Sequence, residues 1–232
     1  MTLEETINRL HNLANGDVKK QKKERFGIDP KNSLGIYHKE LDVLAKEIGK
    51  DDALALELFE TGIYEAKILC SKIYTPKNLT EDMMDYLSEG FDSWEICDSF
   101  CMKLFVKNMW ALHKTIEWSK SEKLYTKRAA FVLMASLVTA DKKAQNSIFR
   151  VFIPIILREC EDERTHVKKA ISWALRAMGK RNRDLHKVAI ETANEMLEKN
   201  SATSTAIAKD VLRALEKPNL KYYDYPREKY RT

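Results

Sequence analysis

The sequence has little of what β-rich and membrane-spanning proteins need. Its 232 residues include only seven glycines and five prolines, and the turns of a β-rich fold consume both. No stretch approaches the roughly 18 consecutive apolar residues of a transmembrane helix. The N-terminal segment carries Glu4, Glu5 and Arg9 instead of the apolar run of a secretory signal. We therefore expect a cytoplasmic protein that does not bind membranes.

Cysteine is equally scarce. The four cysteines (Cys70, Cys97, Cys101 and Cys160) contain no CxxC spacing, which argues against a disulfide framework and a zinc site. Cys97 and Cys101 lie four residues apart, but no further metal ligands follow at a suitable spacing. The sequence also has no Gly-rich phosphate loop, no HExxH and no Gly-x-Ser-x-Gly motif. We expect neither a metal nor a cofactor.

What the sequence does have is charge, distributed unevenly. Hydrophobic residues make up 44% of the chain, charged residues 32%, and the formal net charge is only +5. Residues 164–187, however, contain eight lysines and arginines and a single acid, Asp184. Much of the acidic surplus lies elsewhere, for example in residues 51–65 and 81–98. This asymmetry predicts one basic face, which is typical of proteins that bind nucleic acid.

Helical periodicity runs along nearly the whole chain, and no strand pattern stands out. The pattern predicts helices over residues 3–14, 34–48, 52–59, 62–74, 80–88, 93–107, 109–118, 122–138, 145–158, 164–179, 183–198 and 201–216. Their connections are short, which makes neighbouring helices antiparallel. Such an all-α chain is either a bundle or an α-solenoid, and the pairing of helices at intervals of roughly 35–45 residues favours the solenoid.

No Pro-, Gly- or Ser-rich linker divides the chain, so we predict a single domain over residues 1–232. Residues 217–232 differ from the rest, since they are rich in Tyr and Lys and contain two prolines. They are expected to form an extended tail. The basic run of residues 19–25 is interpreted as a solvated loop.

One predicted helix carries an aromatic residue on an unexpected face. In helix 164–179 the apolar residues follow the spacing of a stripe that faces a core. Trp173 lies well over 90° from the centre of that stripe and shares its side with Lys169, Arg176 and Lys180. Aromatic rings among cations can contact bases or sugars while the cations hold phosphates. The alternative is that Trp173 packs against the next helix pair.

Two other positions place a charge among apolar residues. In helix 93–107, Asp98 lies one turn after Trp94, where an ionised carboxylate is costly unless it has a partner. Asp98 is therefore either satisfied internally or lines a cleft. Arg128 begins the segment Arg-Ala-Ala-Phe-Val-Leu-Met-Ala in the helix predicted over 122–138, which is apolar around most of its circumference. A buried guanidinium requires an anion. Either Asp98 or a DNA phosphate could supply that anion.

Three segments of the sequence carry a family resemblance. Ser-Trp-Glu-Ile-Cys-Asp (93–98), Lys-Arg-Ala-Ala-Phe (127–131) and Val-Lys-Lys-Ala-Ile-Ser-Trp-Ala-Leu-Arg (167–176) resemble, in order and in comparable separation, segments of bacterial DNA alkylation repair proteins. Those proteins are the HEAT-like-repeat alkylpurine DNA glycosylases of the AlkD type. The similarity spans about residues 25–200 and is loose outside the three segments.

The resemblance implies a right-handed α-solenoid of HEAT-like repeats, an ARM-like superhelix whose concave basic face holds duplex DNA with alkylated bases as a monomer. It places the catalytic cleft at Asp98, Trp94 and Trp173. It implies base excision of N3- or N7-alkylated purines without a cofactor. The residues that would contact DNA are Arg128, Lys127, Lys168, Lys169, Arg176, Lys180 and Arg181.

The sequence departs from the family pattern in residues 34–42. Many relatives have Pro near Lys39 and Arg near Asp42, and an acid at a DNA-facing position would repel phosphate. Two other functions therefore stay open. One is binding of branched or damaged DNA without catalysis, and the other is a scaffold for a protein partner, which helical solenoids often provide.

Overall fold

The computed structural model describes residues 1–27 and 32–227. Over these residues the protein is helical and has no strand, which confirms the predicted all-α class. None of the helices in the described ranges is long and apolar enough to cross a bilayer. The chain forms two compact units, Met1–Asn108 and Met109–Thr232. The single domain over residues 1–232 stays a prediction from the sequence.

Over its described residues, 1–27 and 32–108, the first unit has seven α-helices and two short 3-10 helices at Pro76–Asn78 and Phe105–Lys107. Side-chain oxygens of Thr2, Asn15 and Asp51 accept hydrogen bonds from the first-turn amides of three of these helices, which fixes where they begin. The helices are α1 (Leu3–Asn12), α2 (Gly16–Phe26), α3 (His38–Ile48), α4 (Asp52–Glu60), α5 (Tyr64–Ile73), α6 (Glu81–Glu89) and α7 (Trp94–Lys103).

Helix α5 is the centre of the first unit and packs against α3, α4 and α7. Its Ile68 and Leu69 are completely buried. Beside them, the ring of Phe100 on α7 lies 5.7 Å from that of Phe59 and 5.1 Å from that of Phe91, measured between centroids. Aromatic pairs in tilted or edge-on arrangements stabilise a core beyond their buried area, so these contacts stabilise the packing of α7.

The segment before α3 is fixed by a buried carboxylate. Glu65 accepts hydrogen bonds from the hydroxyl of Ser33 (2.8 Å) and from the backbone amides of Leu34 (2.8 Å) and Gly35 (2.9 Å). A Cβ atom added to Gly35, whose φ is +76°, would lie 2.2 Å from the carbonyl oxygen of Asn15. Only glycine fits this close approach. The contact sets the start of α3 against the start of α2.

In the described part of the second unit, residues 109–227, there are also seven α-helices. Helix α12 is central and packs against α9, α13 and α14. Its Gly179 is so close to α14 that an added Cβ would lie 2.3 Å from a methyl carbon of Leu215. The helices are α8 (Ala111–Trp118), α9 (Leu124–Ala140), α10 (Asn146–Arg150), α11 (Phe152–Glu159), α12 (Thr165–Arg181), α13 (Arg183–Leu197) and α14 (Ala202–Leu215).

The structure differs from the prediction at several places, two of which change the number of α-helices. The basic run of residues 19–25, interpreted as a solvated loop, lies in helix α2, which begins at the Asn15 cap. The single helix predicted over 145–158 is two helices, α10 and α11, separated by Val151. Pro154 gives the reason, since proline has no amide hydrogen and its ring collides with the carbonyl four residues earlier.

The described part of the C-terminal tail, Lys217–Arg227, has no helix or strand, and its extended form stays a prediction. Residues 228–232, which the prediction also covered, lie outside the described residues.

Candidate functional site

Helix α7 presents Trp94 and Asp98 side by side. The hydroxyl of Ser93 accepts a hydrogen bond from the amide of Ile96 at 3.2 Å, so α7 begins immediately before Trp94. Trp94 and Asp98 are one helical turn apart, and each side chain is partly exposed. Asp98 is thus not enclosed among the apolar residues of α7, and its side chain lines a cleft.

The cleft beside Trp94 and Asp98 lies within the first unit. It has a volume of about 980 Å³, which is within the range of small-molecule sites. Helix α7 contributes a stripe at helical spacing, and the opposite walls come from α2 and from the start of α3. The lining side chains are those of Gln21, Lys22, Tyr37, His38, Lys39, Glu40, Val43, Trp94, Glu95, Asp98, Ser99, Met102 and Lys103.

A buried carboxylate forms the floor of this cleft. Glu95 accepts hydrogen bonds from Lys22 Nζ (3.2 Å), His38 Nε2 (2.8 Å) and the Tyr64 hydroxyl (2.7 Å), and the hydroxyl of Ser93 donates in turn to that of Tyr64 at 3.1 Å. Burial opposes the charge of Glu95, but the His38 hydrogen bond, the charge of Lys22 and the Tyr64 hydrogen bond outweigh it and lower its pKa to about 2.

The network around Glu95 was not predicted from the sequence. Glu95 belongs to the Ser-Trp-Glu-Ile-Cys-Asp segment, and it follows Trp94 directly. Its partners Lys22, His38 and Tyr64 come from three other helices, so no local pattern connects them. The network joins α2, α3 and α5 to the helix that carries Trp94 and Asp98. It therefore holds both walls of the cleft in place.

The charges of the cleft have both signs. Lys22, Lys39 and Lys103 face it together with the carboxylates of Glu40, Glu95 and Asp98. The surface of this cleft is therefore not uniformly basic. Mixed charges of this kind suit a ligand that carries both a cationic and an anionic group.

Asp42, at which the sequence departs from the family pattern, is neutralised within the protein. Its carboxylate accepts a hydrogen bond from Lys72 Nζ at 2.6 Å. This hydrogen bond lowers the pKa of Asp42, and the charges of Lys72, Lys103 and His38 act in the same direction. Asp42 thus repels a phosphate less than the sequence suggested, because cations offset its charge.

In the second unit, α12 carries most of the residues from which a basic surface was predicted. Trp173 is partly exposed, as are Lys168 and Lys180, and Lys169 is exposed. Residues 169, 173, 176 and 180 follow one another at intervals of three or four and share one face of the helix. Arg176 is partly offset, since its Nε lies 3.6 Å from a carboxylate oxygen of Asp210 on α14.

Arg128 lies under the start of α12. It is 6% exposed, and its Nη1 donates a hydrogen bond to the carbonyl oxygen of His166 at 2.7 Å. Burial lowers the pKa of His166, and the charges of Arg128 and Lys169 lower it further. The ring of Tyr125 lies 5.6 Å from that of His166. Tyr125 and His166, which were not predicted as site residues, thus lie near the charges of Arg128 and Lys169.

Two of the predicted DNA contacts are corrected by the structure. Arg181 is completely buried, donates hydrogen bonds to the carbonyl oxygens of Val138 (2.5 Å) and Ala144 (2.8 Å), and lies over the ring of Phe149. It is a core residue and does not reach a phosphate. Lys127 is also buried.

The ammonium of Lys127 forms ion pairs with Glu159 at 2.5 Å and with Asp162 at 3.0 Å. Asp162 also pairs with Arg164, and these two cations lower its pKa to about 2, although burial opposes the shift. Lys127 therefore fixes the connection between α11 and α12. Its predicted contact with DNA is replaced by an internal one.

The fold is that of proteins related to HEAT-like repeat DNA glycosylases. A solved structure described as a new family of proteins related to the HEAT-like repeat DNA glycosylases, with affinity for branched DNA structures, superposes with a TM-score of 0.76. The superposition covers 96% of this chain and 97% of the chain in the solved structure, and the two sequences are 20% identical. No curated protein gives a significant match to the sequence.

The family follows from the sequence match. The model of the DNA alkylation repair enzyme family matches residues 6–209, which is most of the chain. This protein therefore belongs to the DNA alkylation repair enzyme family, as the resemblance of the three segments predicted.

Proposed function

We propose that this protein is a DNA glycosylase that releases N3- or N7-alkylated purines from duplex DNA, acting as a monomer without a metal or cofactor. One observation carries the proposal: Trp94 and Asp98 lie side by side, partly exposed, in a cleft of about 980 Å³. A carboxylate beside an aromatic ring suits a cationic substrate. Membership of the DNA alkylation repair family supports the same conclusion.

The proposed chemistry requires little of the protein. A purine alkylated at N3 or N7 is cationic, so when its glycosidic bond breaks, the bonding electrons neutralise the base and no proton has to be delivered. Positive charge then grows on the sugar. Asp98 stabilises that charge electrostatically and accepts a hydrogen bond from the water that adds to the sugar carbon. The added water loses a proton to the solvent, and the products are the free base and an abasic sugar.

The aromatic rings add to this stabilisation. Trp94 faces the cationic base, and a cation over an indole ring gains roughly 0.5–2 kcal/mol. Trp173 presents its ring to the DNA from α12, where Lys169, Arg176 and Lys180 contact phosphates. Arg128 contributes positive charge beneath the start of that helix.

The test is release of 7-methylguanine or 3-methyladenine from alkylated duplex DNA by the Asp98→Asn variant. Loss of an electrostatic stabiliser typically lowers a rate by about 10²–10³-fold, and DNA affinity should change little. The matched control is Asp82→Asn, an exposed carboxylate on α6. Equal rates for wild type and Asp98→Asn would refute the role of Asp98. Trp173→Ala should lower DNA affinity as well as the rate.

A second candidate function is binding of branched DNA without catalysis. It is favoured by the solved structure with affinity for branched DNA structures, which shares this fold. Titration of the protein with a four-way junction and with a duplex of equal length separates the two candidates. Preference for the junction, together with no base release from alkylated duplex DNA, would support binding alone.

A further inference from the structure

The C-terminal tail is part of the folded second unit. Its backbone returns to the end of α12, where the amides of Tyr223 and Tyr225 donate to the carbonyl oxygens of Lys180 (2.9 Å) and Arg181 (3.3 Å). The side chain of Asn182 donates to the carbonyl oxygen of Tyr225 at 2.5 Å. These bonds use carbonyl groups that a helix end leaves without partners. The position of the tail is therefore fixed by α12.

The tail and α12 together enclose a shallow depression of about 540 Å³. Lysines come to it from both sides, with Lys180 on the helix and Lys217 and Lys221 on the tail. Tyr223, which is 40% exposed, completes the wall. Three ammonium groups around one concave surface create a local positive potential that attracts anions.

A stacked pair of rings extends this surface. The rings of Tyr223 and Tyr225 are 5.9 Å apart and inclined by 13°. Arg227 donates a hydrogen bond to the carbonyl oxygen of Tyr223 at 2.7 Å, and its guanidinium lies 5.4 Å from the ring centroid of Tyr225. Within residues 217–227 there are three cations and one acid, Asp224. The tail thus adds net positive charge.

The depression adjoins the face of α12 that carries Trp173. Seven residues, or two turns, separate Trp173 from Lys180, so the two side chains project from the same side of the helix. Lys180 therefore belongs to both surfaces. A single anionic polymer can contact the Trp173 face and continue along the tail.

We propose that the tail depression binds the phosphodiester backbone of DNA, as an accessory contact beyond the catalytic cleft. Lys180, Lys217 and Lys221 hold the phosphates, and the stacked tyrosines support the tail. The inference rests on the DNA binding in the proposed function and does not depend on base release. It assigns to the tail a role in affinity and not in chemistry.

The experiment measures affinity for a long undamaged duplex as a function of salt, for wild type and for the double variant K217Q/K221Q. Each phosphate contact contributes about 0.9 to the slope of log affinity against log salt. Two lost contacts should lower the slope by about 1.8. Between about 50 and 200 mM salt, the wild type should then lose about 12-fold more affinity than the variant.

Two matched variants complete the experiment. K217R/K221R keeps both charges and should keep the slope, which would attribute the change in K217Q/K221Q to the lost charges. K120Q/K209Q removes two charges from exposed positions and should change the slope less. A slope equal to that of wild type in K217Q/K221Q would overturn the inference, and so would an equal loss in K120Q/K209Q.

Base release separates this inference from the proposed glycosylase. Under saturating alkylated DNA, K217Q/K221Q should release base at the wild-type rate. If wild type releases no base but the slope still falls in K217Q/K221Q, the glycosylase proposal fails and the tail contact stands. If base is released and the slope is unchanged, the tail contact fails alone.

Discussion

Replacing Glu95 with glutamine tests the network beneath the cleft. In the folded protein its pKa falls from the ordinary value of 4.5 to about 2. At about 1.36 kcal/mol per pKa unit, this difference corresponds to about 3 kcal/mol of stability. Its side chain is only 11% exposed, so solvent screens the charge little. Glu95→Gln would also leave the buried ammonium of Lys22 without its counter-charge.

The pKa of Glu95 determines how the loss of stability in Glu95→Gln changes with pH. Because the folded-state pKa of Glu95 is depressed, its stabilising effect is present above about pH 4.5 and is lost as the pH falls towards 2. Glutamine does not titrate. The stability difference between wild type and Glu95→Gln should therefore be about 3 kcal/mol near pH 7 and should shrink near pH 3.

Urea unfolding of both proteins at the two pH values measures this difference. Other carboxylates titrate in both proteins alike, so their contributions cancel. Glu57→Gln, at an exposed position of α4, serves as the control and should differ from wild type by less than about 0.5 kcal/mol. A Glu95→Gln deficit of the same size at both pH values would refute the reasoning, because lost packing and not lost charge would then explain it.

Further substitutions test the close approach at Gly35 and the buried position of Arg181. Gly35→Ala should destabilise the protein by more than about 2 kcal/mol because its Cβ would lie 2.2 Å from the Asn15 carbonyl oxygen. The control is Gly27→Ala, at a φ of +64° with open space around it, which should cost about 1 kcal/mol. Urea unfolding measures both losses of stability, and equal losses would contradict the close approach at Gly35. Arg181→Met should lower stability by about 3 kcal/mol because two buried carbonyl oxygens lose their donors. The folded fraction of that variant should bind DNA as wild type does, and weaker binding would restore Arg181 as a DNA contact.

Most helices could be predicted from the sequence because their burial is amphipathic and local. Helix α4, predicted over 52–59, spans Asp52–Glu60. Helix α2 was missed because its buried residues include Lys22, and a lysine within a basic run gives no apolar stripe. The burial of Lys22 depends on its hydrogen bond to the carboxylate of Glu95, which is 73 positions away in the chain. Contacts of that separation leave no local pattern.

The error at Arg181 could have been avoided. The apolar stripe of α12 includes Ala174, Ala177 and Met178, and position 181 follows them at spacings of seven, four and three. Arg181 therefore belongs to the buried face by the same periodicity that places Trp173 outside it. The prediction that Arg181 contacts DNA followed from its charge and not from its position on the helix. A lysine or arginine in a basic run has to be assigned to a helix face before it is counted as a DNA contact.

The two units have different electrostatic characters, and this difference bears on how the proposed reaction would divide its tasks. The first-unit cleft combines the carboxylates of Asp98 and Glu95 with lysines. It therefore suits a sugar that becomes cationic within a DNA strand whose phosphates are anionic. The exposed face of α12 is mainly basic, which suits phosphates. Substitutions should separate accordingly. Asp98→Asn should change the rate of base release with little effect on the salt dependence of binding, whereas loss of Lys169 should reduce the salt dependence. If Asp98→Asn instead altered the salt dependence alone, the cleft would be a phosphate-binding element, and the glycosylase proposal would lose its carboxylate.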